Sequence, residues 1–212
     1  MEVLVAGGHG QVALRLLKLL ADRGDRGRGM IRNPDHAADL EAVGAEPVLC
    51  DLETDDPRPH MGAAQAIVFA AGAGPGSGPE RKKTVDLGAA VKLIEAAREL
   101  GVARYVMVSA MGTSDVEHAG EAMRPYLQAK KDADDALMAS GLDWTVVRPG
   151  RLTDAPGTGT VDAARALGRR GEITRDDTAL VLLETLERPN TIRVAFDVLE
   201  GPTPVGVALD AL

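Results

Sequence analysis

Tyr126-Leu-Gln-Ala-Lys130 sets a phenol and an ammonium four residues apart, with Ser109 upstream. Side chains four apart share one face of a helix, so both groups can enter one pocket. A free tyrosine, with a pKa of about 10, is a poor acid-base group near neutrality, but a nearby ammonium favours its ionised form. Ser109 follows an expected strand, Arg104 to Val108, and at its carboxyl end it can hydrogen-bond a substrate carbonyl or the phenol. Taken alone, the pair reads more simply as an ordinary helix whose tyrosine packs and whose lysine is solvated.

A second group of residues is suited to phosphate. Gly7, Gly8 and Gly10 join an apolar run, Val3 to Val5, to a helical pattern beginning at Val12, Ala13 and Leu14. Such a turn lets the backbone approach a pyrophosphate, whose charge the helix N-terminus favours. The spacing can be counted as Gly8-x-Gly10-x-x-Ala13 or as Gly7-x-x-Gly10-x-x-Ala13. Where an NAD-binding sheet would place an acid at the end of its second strand, this chain has Arg32 followed by Asn33. A guanidinium matches a 2′-phosphate that a carboxylate would repel, which favours NADP(H). Asp25 and Asp35 lie nearby, one before that strand and one inside the next helix, and neither is well placed for a ribose.

The elements that must hold these groups alternate. Strands are expected at Val3 to Val5, Arg28 to Ile31, Glu46 to Cys50, Gln65 to Ala70, Arg104 to Val108 and Asp143 to Val147. The glycines of the second weaken it, and Arg148-Pro149-Gly150 should halt the sixth. Helices are expected from Val12, from Pro34 to Val43, from Glu80 to Leu100, and from Pro125 to Ser140. Pro125 suits a first turn, so Tyr126 should sit near a helix start. This rhythm calls for an α/β fold, a doubly wound parallel sheet with helices on both faces. The tract from Gly72 to Pro79 reads as an active-site or cofactor loop. Beyond Gly150 come a helix from Thr174 to Leu186, a strand from Ile192 to Leu199 and a short helix from Val205 to Leu212. One domain over 1–212 is expected, with a small substrate lobe from about 151–170 and 190–212 above the carboxyl ends of the strands.

Composition narrows the partners. The chain has 212 residues, 45% of them hydrophobic, but only five are Phe, Tyr or Trp, so the core must rest on Ala, Val and Leu. A formal charge of −8 argues against a nucleic-acid backbone as partner, which needs a basic surface. Cys50 is the only cysteine, and His9, His36, His60 and His118 show no metal-ligand spacing, so neither disulfide nor metal is expected. The histidines read as solvated or locally hydrogen-bonded. The first strand begins too early for a targeting segment, and no apolar run reaches membrane length. A cytoplasmic protein, monomer or homodimer, with a small-molecule substrate is expected.

The runs VAGGHGQVAL, MIRNP, AAGAG, VDLGAAVKLIEAA, VMVSAMG, YLQAKKDADDALMASGLDWTVVRPGRLTD and EITRDDTALVLLETLE resemble the atypical short-chain dehydrogenases/reductases. Among these the chain is similar to the small NAD(P)H-binding, epimerase-like subgroup related to flavin and biliverdin reductases and NmrA-like proteins. The resemblance implies a Rossmann-type fold preferring NADP(H). It places Gly7, Gly10, Gln11 and Val12 in the pyrophosphate loop and Arg32 at the 2′-phosphate. Asp51 and Leu52 fall on the adenine side, Ala70, Ala71 and Gly72 beneath the ribose, and Pro149 and Gly150 beside the nicotinamide. Ser109, Tyr126 and Lys130 match three members of a catalytic tetrad, with Lys130 also on the nicotinamide ribose. The fourth is Asp86 where much of the wider superfamily has asparagine, a departure from its proton relay. The implied function is an NADP(H)-dependent oxidoreductase or epimerase acting on a small or planar carbonyl, quinone or flavin-type substrate. The alternative is a non-catalytic NADP(H)-binding redox sensor of NmrA-like type. A hydrolase is disfavoured, because Ser109 lacks the G-x-S-x-G elbow.

Overall fold

The computed structural model describes residues 1–72 and 82–212, so most of the expected Gly72 to Pro79 loop lies outside the described residues. The chain alternates as the rhythm requires: β1 (Glu2–Ala6), α1 (Gln11–Asp22), β2 (Arg26–Ile31), a 3-10 turn (Pro34–His36) running into α2 (Ala37–Ala42), and β3 (Glu46–Leu49). Then come β4 (Ala66–Phe69), a π-helical segment (Lys82–Gly88) continued by α3 (Ala89–Leu100), β5 (Arg104–Val108), α4 (Arg124–Met138) and β6 (Asp143–Pro149). The last third holds β7 (Arg151–Thr153), β8 (Thr160–Ala164), β9 (Glu172–Thr174), α5 (Arg175–Leu186), β10 (Val194–Glu200), β11 (Thr203–Pro204) and α6 (Val205–Asp210).

Nine strands form one sheet in the order β11-β8-β10-β6-β5-β4-β1-β2-β3. From β3 to β10 all neighbours are parallel, and β8 and β11 extend that edge antiparallel. The chain runs one way from β1 to β3 and then restarts on the other side of β1 with β4. This reversal opens a crevice above the carboxyl ends of β1 and β4, where ligands bind in such sheets. Residues alternate along β1: Val3 and Val5 join the apolar layer under α1 and α5, while Leu4 and Ala6 join the layer under α3 and α4. The core has few rings and packs Ala, Val and Leu on both faces, as the composition requires.

The structure corrects three local expectations. β2 begins at Arg26, and its glycines are where neighbours approach: a Cβ on Gly29 would lie 2.4 Å from Leu40 Cδ2, and one on Gly27 would lie 2.9 Å from Leu17 Cδ2. They fit the strand against its two helices. β6 is not halted at Arg148 but pairs through Pro149 with Val198, and the Pro149 carbonyl accepts from the Met111 N–H at 3.1 Å. The segment after Gly150 contains β7 and β9, a two-stranded parallel sheet that continues from the carboxyl end of β6, besides the edge strand β8. Among the described residues no helix is long and apolar enough to cross a membrane.

Candidate functional site

The crevice at the β1–β4 reversal is a cleft of about 340 Å³. Its floor is the glycine turn against the end of β4. Gly7 has φ +76°, and a Cβ there would stand 2.7 Å from the Ala71 Cα, so main chain touches main chain. Gly8 meets Gly29 in the same way and its N–H donates to the Met30 carbonyl at 2.8 Å. Of the two ways to count the fingerprint, the geometry therefore supports Gly7-x-x-Gly10-x-x-Ala13, with Gly8 serving β2. Gly10 is the N-cap of α1; no side chain caps this helix, and no acid stands in its first turn. By contrast α5 is capped by Thr174 and has Asp176 and Asp177 in its first turn. An uncapped amino end beside a backbone cradle suits an anionic diphosphate. Gln11 is exposed at the first position of α1, while Val12 is buried beneath it.

Gly7, Gly10, Arg32, Asp51 and Leu52 line this cleft together with Ala70, Ala71 and Gly72. Arg32 extends from the end of β2 with its side chain 54% exposed, and its Nη1 donates to Glu53 Oε2 at 3.3 Å. So exposed an ion pair is worth at most about 1 kcal/mol, so the guanidinium can turn to a phosphate at little cost. Asp51 accepts from the Glu53 N–H at 3.0 Å, which shapes the opposite wall. Cys50 also lines the cleft, but burial pushes its thiol up to about 11, which leaves it protonated and unreactive. His9 and His36, expected to be solvated or locally bonded, stack on each other at this rim, and His9 Nε2 bonds Asp39 at 2.7 Å.

The second half of the site comes from α4 and the strands beside it. Lys130 is buried, and its Nζ lies 3.2 Å from Asp86 Oδ1. The same ammonium donates to the Val108 carbonyl at 3.2 Å and to the Ala71 carbonyl at 3.4 Å. Lys130 thus ties the helix to the cleft floor, and Asp86 reaches it from the π-helical segment, a form often found at functional sites. Tyr126 is the third residue of α4, near the start as Pro125 predicted. Burial raises the phenol above its ordinary range; Lys130 opposes this, and Asp86 and Asp134 add to it. Lys130 does pull the phenol toward its ionised form, as expected, but burial outweighs it and the net shift is upward.

Ser109 is bonded within the protein. Its hydroxyl donates to Asp134 Oδ2 at 3.0 Å, an oxygen that also accepts from Thr113 at 3.3 Å and from Arg148 Nη2 at 3.2 Å. With its proton turned inward, Ser109 offers lone pairs to the site. Asp134 is buried, and burial raises its carboxyl against the lowering by Ser109 and Arg148. Asp134 was missed by the sequence reading, although Tyr126, Lys130 and Asp134 repeat at four-residue steps along one helix face. Pro149 and Gly150 are not among the residues that line this cleft; the Gly150 N–H donates to the Val198 carbonyl at 3.1 Å, and a Cβ there would meet Gly171 O at 2.4 Å. They join the end of β6 to the carboxyl-terminal segments.

Comparisons with known proteins agree with this architecture. A family model described as NAD(P)H-binding matches residues 7–189. An uncharacterized sugar epimerase of Bacillus subtilis, YhfK, is 45% identical over 194 residues, covering 90% of each chain. A solved structure from Bacillus halodurans, whose provisional name is NAD-dependent epimerase/dehydratase, superposes with a TM-score of 0.97 at 39% identity over all of both chains. The oxidoreductase ylbE of Lactococcus lactis superposes with a TM-score of 0.89 at 25% identity, over 100% of this chain and 96% of its own.

Proposed function

This chain belongs to the NAD(P)H-binding family, and we propose that within it the protein is an NADP(H)-dependent oxidoreductase or epimerase acting on a small or planar carbonyl, quinone or flavin-type substrate. The observation that carries the reading is Lys130. Its ammonium reaches the Ala71 carbonyl in the cleft floor from the same helix face as Tyr126, which supports reading the cleft and the acid-base pair as parts of one site.

Gly7, Gly10 and the first turn of α1 would hold the diphosphate, Arg32 the 2′-phosphate, and Asp51 and Leu52 the adenine side. A nicotinamide held there would supply the hydride chemistry, giving or taking one hydride. Tyr126 holds a proton for the substrate oxygen, so that reduction of a carbonyl ends as an alcohol and leaves the phenol to be reprotonated from solvent. Lys130, compensated by Asp86, keeps a positive charge near the phenolate that forms. Ser109, its proton committed to Asp134, accepts a hydrogen bond from the phenol or from a substrate hydroxyl.

A second reading, an NADP(H)-binding sensor without turnover, is favoured by one feature. The Ser109 proton and the Lys130 ammonium are both engaged within the protein. Incubation with NADPH and a panel of carbonyl, quinone and flavin acceptors separates the two. Loss of NADPH absorbance with any acceptor supports the enzyme; tight NADPH binding with no oxidation across the panel supports the sensor.

A further inference from the structure

His9 belongs to the glycine turn and His36 to the 3-10 turn after β2, so each comes from one of the two segments that meet at the cleft rim. Their rings stack with centroids 3.6 Å apart and planes inclined by 13°. His9 Nε2 donates to Asp39 Oδ2 at 2.7 Å, from the start of α2. Two cationic rings in such face-to-face contact would repel each other. Among the described residues, the other charged groups that line this cleft are Arg32, Asp51 and Glu53, and Asp35 precedes His36 in its turn. Arg32 adds to the repulsion, and the carboxylates across the cleft would resist an incoming phosphate unless more positive charge gathered on the histidine side.

We propose that the stacked His9–His36 pair is a proton-linked reader of a phosphomonoester on the bound dinucleotide, taking up a proton as the 2′-phosphate arrives beside Arg32. Histidine changes charge between pH 5 and 8, so NADP(H) is held more tightly, and distinguished from NAD(H) more sharply, as the pH falls through that range. The inference rests on the proposed NADP(H) site and concerns binding only. It adds two residues from different segments to a discrimination otherwise left to Arg32.

The test is calorimetric titration of the full chain with NADPH and with NADH between pH 6 and 8, in buffers of different ionisation enthalpy. Wild type should take up protons on binding NADPH and lose affinity on the order of tenfold toward pH 8, while NADH binding stays flat. His36→Gln should reduce the slope to what the ligand's own phosphate contributes, and His36→Arg, with a fixed charge, should bind NADPH tightly with that same residual slope. The phosphate of the ligand itself titrates near pH 6, so the difference between wild type and variants is the reading. Equal slopes for wild type and His36→Gln, or the same slope with NADH, would overturn the inference while leaving the NADP(H) site intact. Absence of NADPH binding at every pH would overturn both.

Discussion

Ser109 Oγ donates its proton to Asp134 Oδ2 at 3.0 Å, which joins the end of β5 to the third turn of α4 and settles what the serine can offer a substrate. A hydroxyl has one proton, and this one points into the protein. In the proposed reaction Tyr126, whose phenol burial shifts upward, is then the proton donor. Ser109→Ala should lower turnover by about tenfold or less, as the loss of one accepted hydrogen bond. Tyr126→Phe should lower it by roughly 10²–10⁴-fold, the usual size of general acid catalysis, with NADPH affinity unchanged. Steady-state rates and NADPH titrations of the two variants check the ranking, and a larger loss for Ser109→Ala would return the donor role to serine.

Asp134 should also govern stability. Asp134→Ala leaves Arg148, 14% exposed, without the carboxylate it bonds, at a cost of about 3–5 kcal/mol in urea denaturation. The pH dependence has a definite sign. Burial raises the folded carboxyl above its ordinary value of 3.8, so the folded chain binds that proton more tightly than the unfolded one. The resulting stabilisation is complete below the ordinary value and is lost as pH rises through the raised one. Relative to Asp134→Asn, which does not titrate, wild type should gain stability on acidification from neutral pH. The acids Asp25, Glu46, Asp55 and Asp56 are shifted the other way, so the difference between the two proteins is the quantity to follow.

How far the site could be read from sequence depended on whether each signal was local. The glycine turn, Arg32 and the Tyr126–Lys130 pair are local patterns on strongly periodic elements, and the structure sets Lys130 against the cleft those glycines build. Asp134 obeyed the same four-residue step, but an aspartate on a helix ordinarily reads as a solvated face, and its partners Thr113 and Arg148 come from segments distant in sequence. Gly27 and Gly29 look like weak strand residues until Leu17 and Leu40 are seen resting on them. β7 and β9 are three residues each, too short for any period to show. Pro149 reads as a strand end because proline lacks the donor that a ladder uses, yet its carbonyl serves Met111.

Arg32 makes the cofactor preference measurable. Its pairing with Glu53 is exposed and weak, whereas a guanidinium gripping a 2′-phosphate makes charge-assisted bonds worth about 1.5–3 kcal/mol. Arg32→Ala should therefore weaken NADPH by roughly 10- to 150-fold and leave NADH unchanged. Calorimetry on both nucleotides decides it. If wild type binds the two equally, the 2′-phosphate assignment is wrong, whatever the variant does.

Gly7 and Gly24 offer a matched pair for weighing the glycine turn. Both have positive φ, +76° and +84°, so an alanine at either meets the same left-handed strain, about 1–2 kcal/mol. A Cβ on Gly24 would have nothing within 4 Å, while one on Gly7 would stand 2.7 Å from the Ala71 Cα and 2.8 Å from its nitrogen. Backbone cannot swing aside as a side-chain tip can, so Gly7→Ala must push the end of β4 away from β1. Ala71 also supplies a carbonyl to the Lys130 ammonium, and the displacement therefore reaches the acid-base half of the site. Gly7→Ala should cost clearly more stability than Gly24→Ala in parallel denaturation, and it alone should weaken both NADPH and NADH. Equal costs, with cofactor affinity intact, would mean that the contact between Gly7 and Ala71 does not form the cleft floor.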